Sequence, residues 1–223
     1  MLKPRKKLTK RQIKQDKLVT YYFKATEYIN QNSRIISTGV TAFVVILVAI
    51  FLYGKNQQDK EKKASVELTK ARAEYFQNDY ESALNILQNL VENFGGTKSA
   101  KEGVYYLANA YFQLKKYDEA QKYYLKYLDS GGDDILEASA LSGIAACYEE
   151  TGKYLEAART YKKAAEEYNE GFMAPQNLYN AARCFVLAGN KQAASEMLRQ
   201  LIENYSNSSL KTDAEILLAE LVS

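Results

Sequence analysis

The sequence predicts an all-α protein: a stack of helix–turn–helix repeats preceded by one transmembrane helix. Three observations predict it. Small residues recur every 37 positions between Ala71 and Ala219. One run of nineteen residues, "IISTGVTAFVVILVAIFLY" at 35–53, carries no charge. The composition is that of helices, with two prolines, eleven glycines and β-branched runs confined to that apolar stretch.

The N-terminal element is basic. Residues 1–34 hold ten Lys and Arg against Asp16 and Glu27, a net +8; residues 55–63 hold four against two, a net +2; residues 64–223 hold sixteen against twenty-three, a net −7. Lys3, Arg5, Lys6, Lys7, Lys10, Arg11, Lys14 and Lys17 are expected at a membrane surface, where such a block attracts anionic headgroups and sets topology. A cytoplasmic protein partner or a nucleic acid would also suit so basic a block, but beside an apolar span lipid is the simpler cause. Thr9 with Gln12 has the spacing of a capping box. Leu18, Tyr22, Ala25 and Ile29 then share one face, which predicts a short interfacial helix.

The apolar run follows. As a helix it is roughly 28 Å long, close to the thickness of a bilayer's hydrocarbon. A signal peptide fits poorly, because the basic region before it is too long and no small-x-small cleavage site precedes Lys55. No cysteine lies near enough for a lipoprotein anchor. The more basic N-terminal flank is expected in the cytoplasm, with the acidic repeats across the membrane. Lys55, Lys60, Lys62 and Lys63 on the far flank keep the reversed topology open. The expected division is a basic cytoplasmic tail with a juxtamembrane amphipathic helix at 1–34, a span at 35–53, a charged linker at 54–63 and repeats at 64–222.

In the repeats, Ala83, Ala120, Ala157 and Ala194 are each 37 apart, and Ala71, Ala108, Ala145 and Ala182 stand twelve residues before them, with Ala219 next on the ruler. Each unit reads as two helices. Val104, Leu107, Ala108 and Tyr111 make an i, i+3, i+4, i+7 stripe; after a break at Lys115 and Lys116, Tyr117, Ala120, Tyr124 and Tyr127 share a face of the partner helix. Helices approach closely only where side chains are small, so these nine alanines are structural positions at the crossings. Gly95 and Gly96, Gly131 and Gly132, Gly171 and the Asn/Ser run at 204–209 end the second helices.

The segments "LANAYFQLKKYDEA" (107–120) and "IAACYEETGKYLEA" (144–157) resemble the tetratricopeptide repeat (TPR), and the resemblance covers residues 64–222 as four units and a C-terminal capping helix. It implies a right-handed α-solenoid, with connections lengthened relative to the commoner 34-residue period. Lys70 stands where the first unit should carry Leu or Ile. "ENFGGTKSAKEGVYYLANAYF" (92–112) is similar to repeats of bacterial envelope proteins. The family binds protein or peptide partners on a concave face lined by the first helices. By alignment that groove would comprise Leu68, Arg72, Tyr75, Tyr105, Asn109, Phe112, Ser142, Ala146, Tyr179 and Arg183. Some relatives grip a C-terminal carboxylate with Lys and Asn. Here Leu68 and Tyr105 replace the lysines and Gly143 the asparagine, which argues against that clamp.

The remaining residues exclude more than they suggest. There is no histidine, no Gly-rich phosphate loop and no metal-ligand spacing, so neither an enzyme nor a cofactor is expected. Cys147 and Cys184 occupy one repeat position and read as small buried residues rather than a bridge. Glu149–Glu150, Glu166–Glu167 and Asp133–Asp134 read as solvated faces. The architecture resembles single-pass inner-membrane TPR proteins that accompany the protein-export channel, which implies a scaffold that helps exported chains pass to envelope chaperones. Another envelope assembly, or a cytosolic docking platform under reversed topology, remains open, as does a homo-oligomer. No nucleic acid or small-molecule substrate is expected.

Overall fold

The computed structural model describes residues 17–222, and every regular element among them is an α-helix. In chain order they are α1 (Lys17–Gln31), α2 (Ser33–Phe76), α3 (Tyr80–Asn93), α4 (Lys98–Gln113), α5 (Tyr117–Asp129), α6 (Asp134–Glu150), α7 (Tyr154–Glu167), α8 (Ala174–Leu187), α9 (Lys191–Asn204) and α10 (Lys211–Val222). The basic residues Lys3 to Lys14 and the Thr9–Gln12 capping pair lie outside the described residues, as does the side chain of Lys17. The chain divides into two compact units after Gln57.

The first unit holds α1 and the apolar part of α2. Tyr21, Tyr22, Phe23, Tyr28 and Ile29 of α1 are exposed. The α2 helix is long and apolar enough to cross a membrane, and none of its apolar window is buried.

The second unit is the TPR-like stack. Ala71 and Ala83, Ala108 and Ala120, Ala145 and Ala157, and Ala182 and Ala194 are fully buried. Ala219, the fifth step of the ruler, is exposed, because no described helix follows α10 to cover that face. Larger side chains fill the spaces beside the alanines. Leu87, Leu90, Leu107, Tyr124 and Tyr127 belong to one buried cluster, and Tyr161, Leu178, Phe185, Met197, Leu198 and Leu201 to the next. Burial of each such side chain contributes roughly 1.5–3 kcal/mol, so these layers dominate the stability of the stack.

Residues 54–63 are helical, as their Lys, Gln and Glu content favours. The Glu61 carboxylate accepts from Lys98 N at 2.7 Å, Ser99 N at 3.1 Å and Ser99 Oγ at 2.6 Å. It thereby satisfies amides that the start of α4 would otherwise leave without partners.

The turn inside each unit is also on the ruler. Asn78, Lys115, Gly152 and Gly189, each 37 apart, all have positive φ, between 58° and 78°. In each turn the next amide donates five residues back, as Lys116 N does to the Tyr111 carbonyl at 2.9 Å and Lys153 N to that of Tyr148 at 2.8 Å. This is the Schellman ending of a helix, whose left-handed residue is normally glycine. Lys115 holds that conformation at φ 58° against its own Cβ. Lys115→Gly is therefore expected to raise the unfolding free energy by about 0.5–1 kcal/mol in urea titrations. At Lys116, where φ is −89°, the same change should lower it instead.

Candidate functional site

The first helices α4, α6 and α8 line an open cleft of about 320 Å³. Tyr105, Asn109 and Phe112 come from α4, Ser142, Gly143 and Ala146 from α6, and Asn177 and Asn180 from α8. Two second-helix tyrosines, Tyr124 and Tyr161, reach its wall from behind. Tyr124 can do so only because residue 143 is glycine: a Cβ there would stand 2.4 Å from the ring. The Tyr124 hydroxyl donates to Asn109 Oδ1. Burial, with neighbouring Tyr105 adding to it, pushes the Tyr124 pKa well up, so the hydroxyl stays a donor and leaves the Asn109 Nδ2 hydrogens for the cleft.

Tyr105, Asn109, Phe112, Ser142 and Ala146 of the expected groove are brought together here. The others are not. Leu68 is a correction: it is 6% exposed and part of the core, because α2 continues far enough to pack that turn inward. Arg72 pairs with Glu102 at 3.4 Å and lies over the Tyr106 ring. Tyr75 packs edge-on against Phe76, Tyr80 and Tyr106. Tyr179 packs half-buried against the second core cluster. Arg183 pairs with Glu149 at 2.6 Å, and Glu149 also accepts from the Tyr161 hydroxyl at 3.3 Å. Glu149 is thus tied into the stack, where the sequence suggested a solvated face. With both arginines engaged, the residues lining the cleft are all neutral.

Asn177, Asn180 and Tyr124 were not among the expected site residues. Asn177 had a legible signal, since the residues 37 apart from it at the same repeat position, Gly103, Ala140 and Ala214, are all small; Tyr124 had none, because it reaches the cleft from a helix the alignment assigns to the back. A larger hollow of about 440 Å³ lies where the α7–α8 loop meets the start of α6, with acidic groups around Ile135 and Phe172. One of the acids nearby, Glu137, is already taken by the Tyr168 hydroxyl and the Gly132 amide.

Cys147 and Cys184 are free and buried. Burial pushes each thiol up to about 12, helped by Asp118 near Cys147 and by Glu149 near Cys184. A raised thiol pKa keeps the neutral form, and the thiolate is the nucleophile. Neither thiol should therefore react with an aromatic disulfide reagent at pH 8 in the folded protein, and both should react promptly in urea. Fast labelling of either without denaturant would contradict the packing described.

Comparison with known proteins agrees with this geometry. The family model for the tetratricopeptide repeat-like domain matches residues 26–176, and a tetratricopeptide repeat model matches residues 176–208. No curated protein matches the chain. Among solved structures, the nearly identical TPR-like repeats of a kinesin light chain candidate from Podosopora anserina superpose with a TM-score of 0.58 at 16% identity, covering 72% of this chain and 86% of that one. The apo form of RapI gives 0.64 at 18% identity, over 74% of this chain and 49% of RapI. A tetratricopeptide repeat protein of Parabacteroides merdae gives 0.60 at 18%, over 72% and 60%. At these identities the likeness is one of fold.

Proposed function

The chain belongs to the tetratricopeptide repeat-like family, and from that premise we propose that it is a membrane-anchored scaffold holding an extended segment of a protein partner. The observation that carries the reading is the open cleft across α4, α6 and α8, with half-buried aromatics beside uncharged polar groups. Apolar side chains of a partner would dock on the aromatic surface while its backbone meets the polar groups. The fold is a scaffold for interaction rather than catalysis.

The apolar stretch of α2 supports the anchor. The family match begins at residue 26, so it takes in that stretch together with the repeats. The exposed aromatics of α1 suit the headgroup layer beside a span, and the basic tail would hold anionic lipid. On the positive-inside argument, the N-terminus is cytoplasmic and the repeats are extracytoplasmic at a bacterial inner membrane. There the scaffold would assist protein export or hand exported chains to envelope chaperones.

A reporter fused after Ser223 tests the orientation: activity confined to the cytoplasm would reverse the topology. Photocrosslinking from Tyr105 in living cells tests the process. Adducts with export-channel components or chains in transit are expected, and adducts solely with wall-synthesis or division proteins would place the scaffold in another assembly.

A further inference from the structure

Two hollows outside the cleft occupy one place in successive units. One is the 440 Å³ hollow at the start of α6, lined in part by Asp134, Ile135, Ala138, Glu167, Glu170 and Phe172. The other, of about 360 Å³, lies at the start of α4 against the end of α5, and Thr97, Lys98, Ala100, Lys101, Val104 and Lys126 help to line it. Thr97 and Asp134, Lys98 and Ile135, and Lys101 and Ala138 are each 37 apart, so both hollows open where an inter-unit loop meets a first helix. They therefore share one edge of the stack.

The packing repeats there but the charge does not. The hollow at α4 sets Lys98, Lys101 and Lys126 round an apolar floor of Val91, Ala100 and Val104, and no acid lines it. Glu61, the nearby acid, is already held by the amides of Lys98 and Ser99 and by the Ser99 hydroxyl. The hollow at α6 has Asp134, Glu167 and Glu170, and no Lys or Arg lines it. Glu167 has an exposed pair with Lys163 at 3.7 Å, of the kind worth little in water. Asp134 and Glu170 enter no ion pair among the described residues. Phe172 stands at this acidic rim. It is 75% exposed, more than any other large apolar side chain of the repeats, and Ile135 beside it is exposed as well. Apolar groups left in water together on a surface mark a contact.

We propose that this edge joins two copies of the chain about a two-fold axis. Phe172 of each copy enters the lysine-rimmed apolar hollow of the other, while Asp134, Glu167 and Glu170 face Lys98, Lys101 and Lys126. A second copy is the occupant because one chain carries both halves of the complementary surface, on one edge and one unit apart. A two-fold axis then satisfies both halves at once and closes the assembly at two chains. Opposed charges of this kind fix register more than they add affinity, so the pair should separate on dilution and in salt. None of Tyr105, Asn109, Phe112, Ser142 and Ala146 lines either hollow, so pairing goes beyond the peptide-binding reading and does not depend on it.

The test uses full-length protein in detergent micelles, with the protein mass followed by light scattering through a dilution series. The mass should rise from one chain to two with concentration and stop there. In molar salt the midpoint should move to about tenfold higher concentration or more. Lys101→Glu/Lys126→Glu and Glu167→Lys/Glu170→Lys should each weaken pairing about tenfold or more, because like charges then face each other. An equimolar mixture of those two variants should pair as the unaltered protein does, since every contact is again between opposite charges. Phe172→Ser, at an exposed loop position, should weaken pairing without lowering the thermal midpoint. A single-chain mass at every concentration, growth beyond two chains, or reversed variants that stay apart when mixed would overturn the proposal. So would pairing that the charge variants and Phe172→Ser leave intact, which would place the contact elsewhere, as along the apolar stretch of α2. A crosslinked pair of copies has twice the mass of the chain, which tells this contact apart from a partner chain held in the cleft.

Discussion

Leu87→Ala is expected to cost about 2–5 kcal/mol of unfolding free energy in chemical denaturation. Leu87 is fully buried in the first core cluster, beside Leu90 and under α4. The site has little room to collapse. Gly103 brings the α4 backbone so close that a Cβ there would stand 2.7 Å from Leu90 Cδ2 and 3.8 Å from Leu87 Cδ2. Removing the leucine therefore leaves a cavity between two helices that are already in contact, and the lining atoms lose their dispersion partners. Leu125→Ala makes the same chemical change on a side chain that is 48% exposed, and it should stay within about 0.5 kcal/mol of the unaltered protein. Because repeats contact mainly their neighbours, the loss should appear first as early melting of the N-terminal units. Equal effects at the two leucines would show that the layers are not packed as described.

Gly143→Ala is expected to cost about 1–3 kcal/mol, an unusual penalty for one methyl group in a helix. The added Cβ would meet Tyr124 ring carbons at 2.4, 2.6 and 2.8 Å. The ring has nowhere to retreat, being buried, in contact with Tyr105 and hydrogen-bonded to Asn109. The glycine otherwise disfavours its helix by about 1 kcal/mol relative to alanine, so a net loss of stability would be clear evidence for the ring's position. Tyr124→Phe separates the two contributions: it keeps the ring and removes only the hydroxyl bond to Asn109. If Gly143→Ala instead stabilised the protein, Tyr124 would not lie against α6.

The repeat register was legible because it is a packing requirement. A residue at a helix crossing must be small in every unit, so Ala71 to Ala194 advertise the fold in the sequence alone. The turn register was less legible. Asn78 and Lys115 hold the left-handed position that Gly152 and Gly189 fill elsewhere, since the surrounding helix pair fixes the backbone whatever the residue prefers. Only half of the groove positions taken from the alignment line the cleft. Leu68, Arg72 and Tyr75 share its register positions but are taken up by core, ion-pair and aromatic contacts in the first unit, while Arg183 is spent on Glu149. Tyr124 was hidden because its reach depends on a glycine in another helix. Asn177 was visible only as an exception to the ruler, and exceptions acquire meaning once burial is known. The repeating residues build the stack, and the departures from them mark its inner face.

The most direct measurement of that claim places a photoreactive amino acid singly at Phe112 and Ala146, on the cleft, and at Leu125 and Lys163, away from it, in the full-length protein in cells. Discrete adducts with a partner chain from positions 112 and 146 only are the predicted result. Equal adducts from 125 and 163, or none from the cleft, would contradict it.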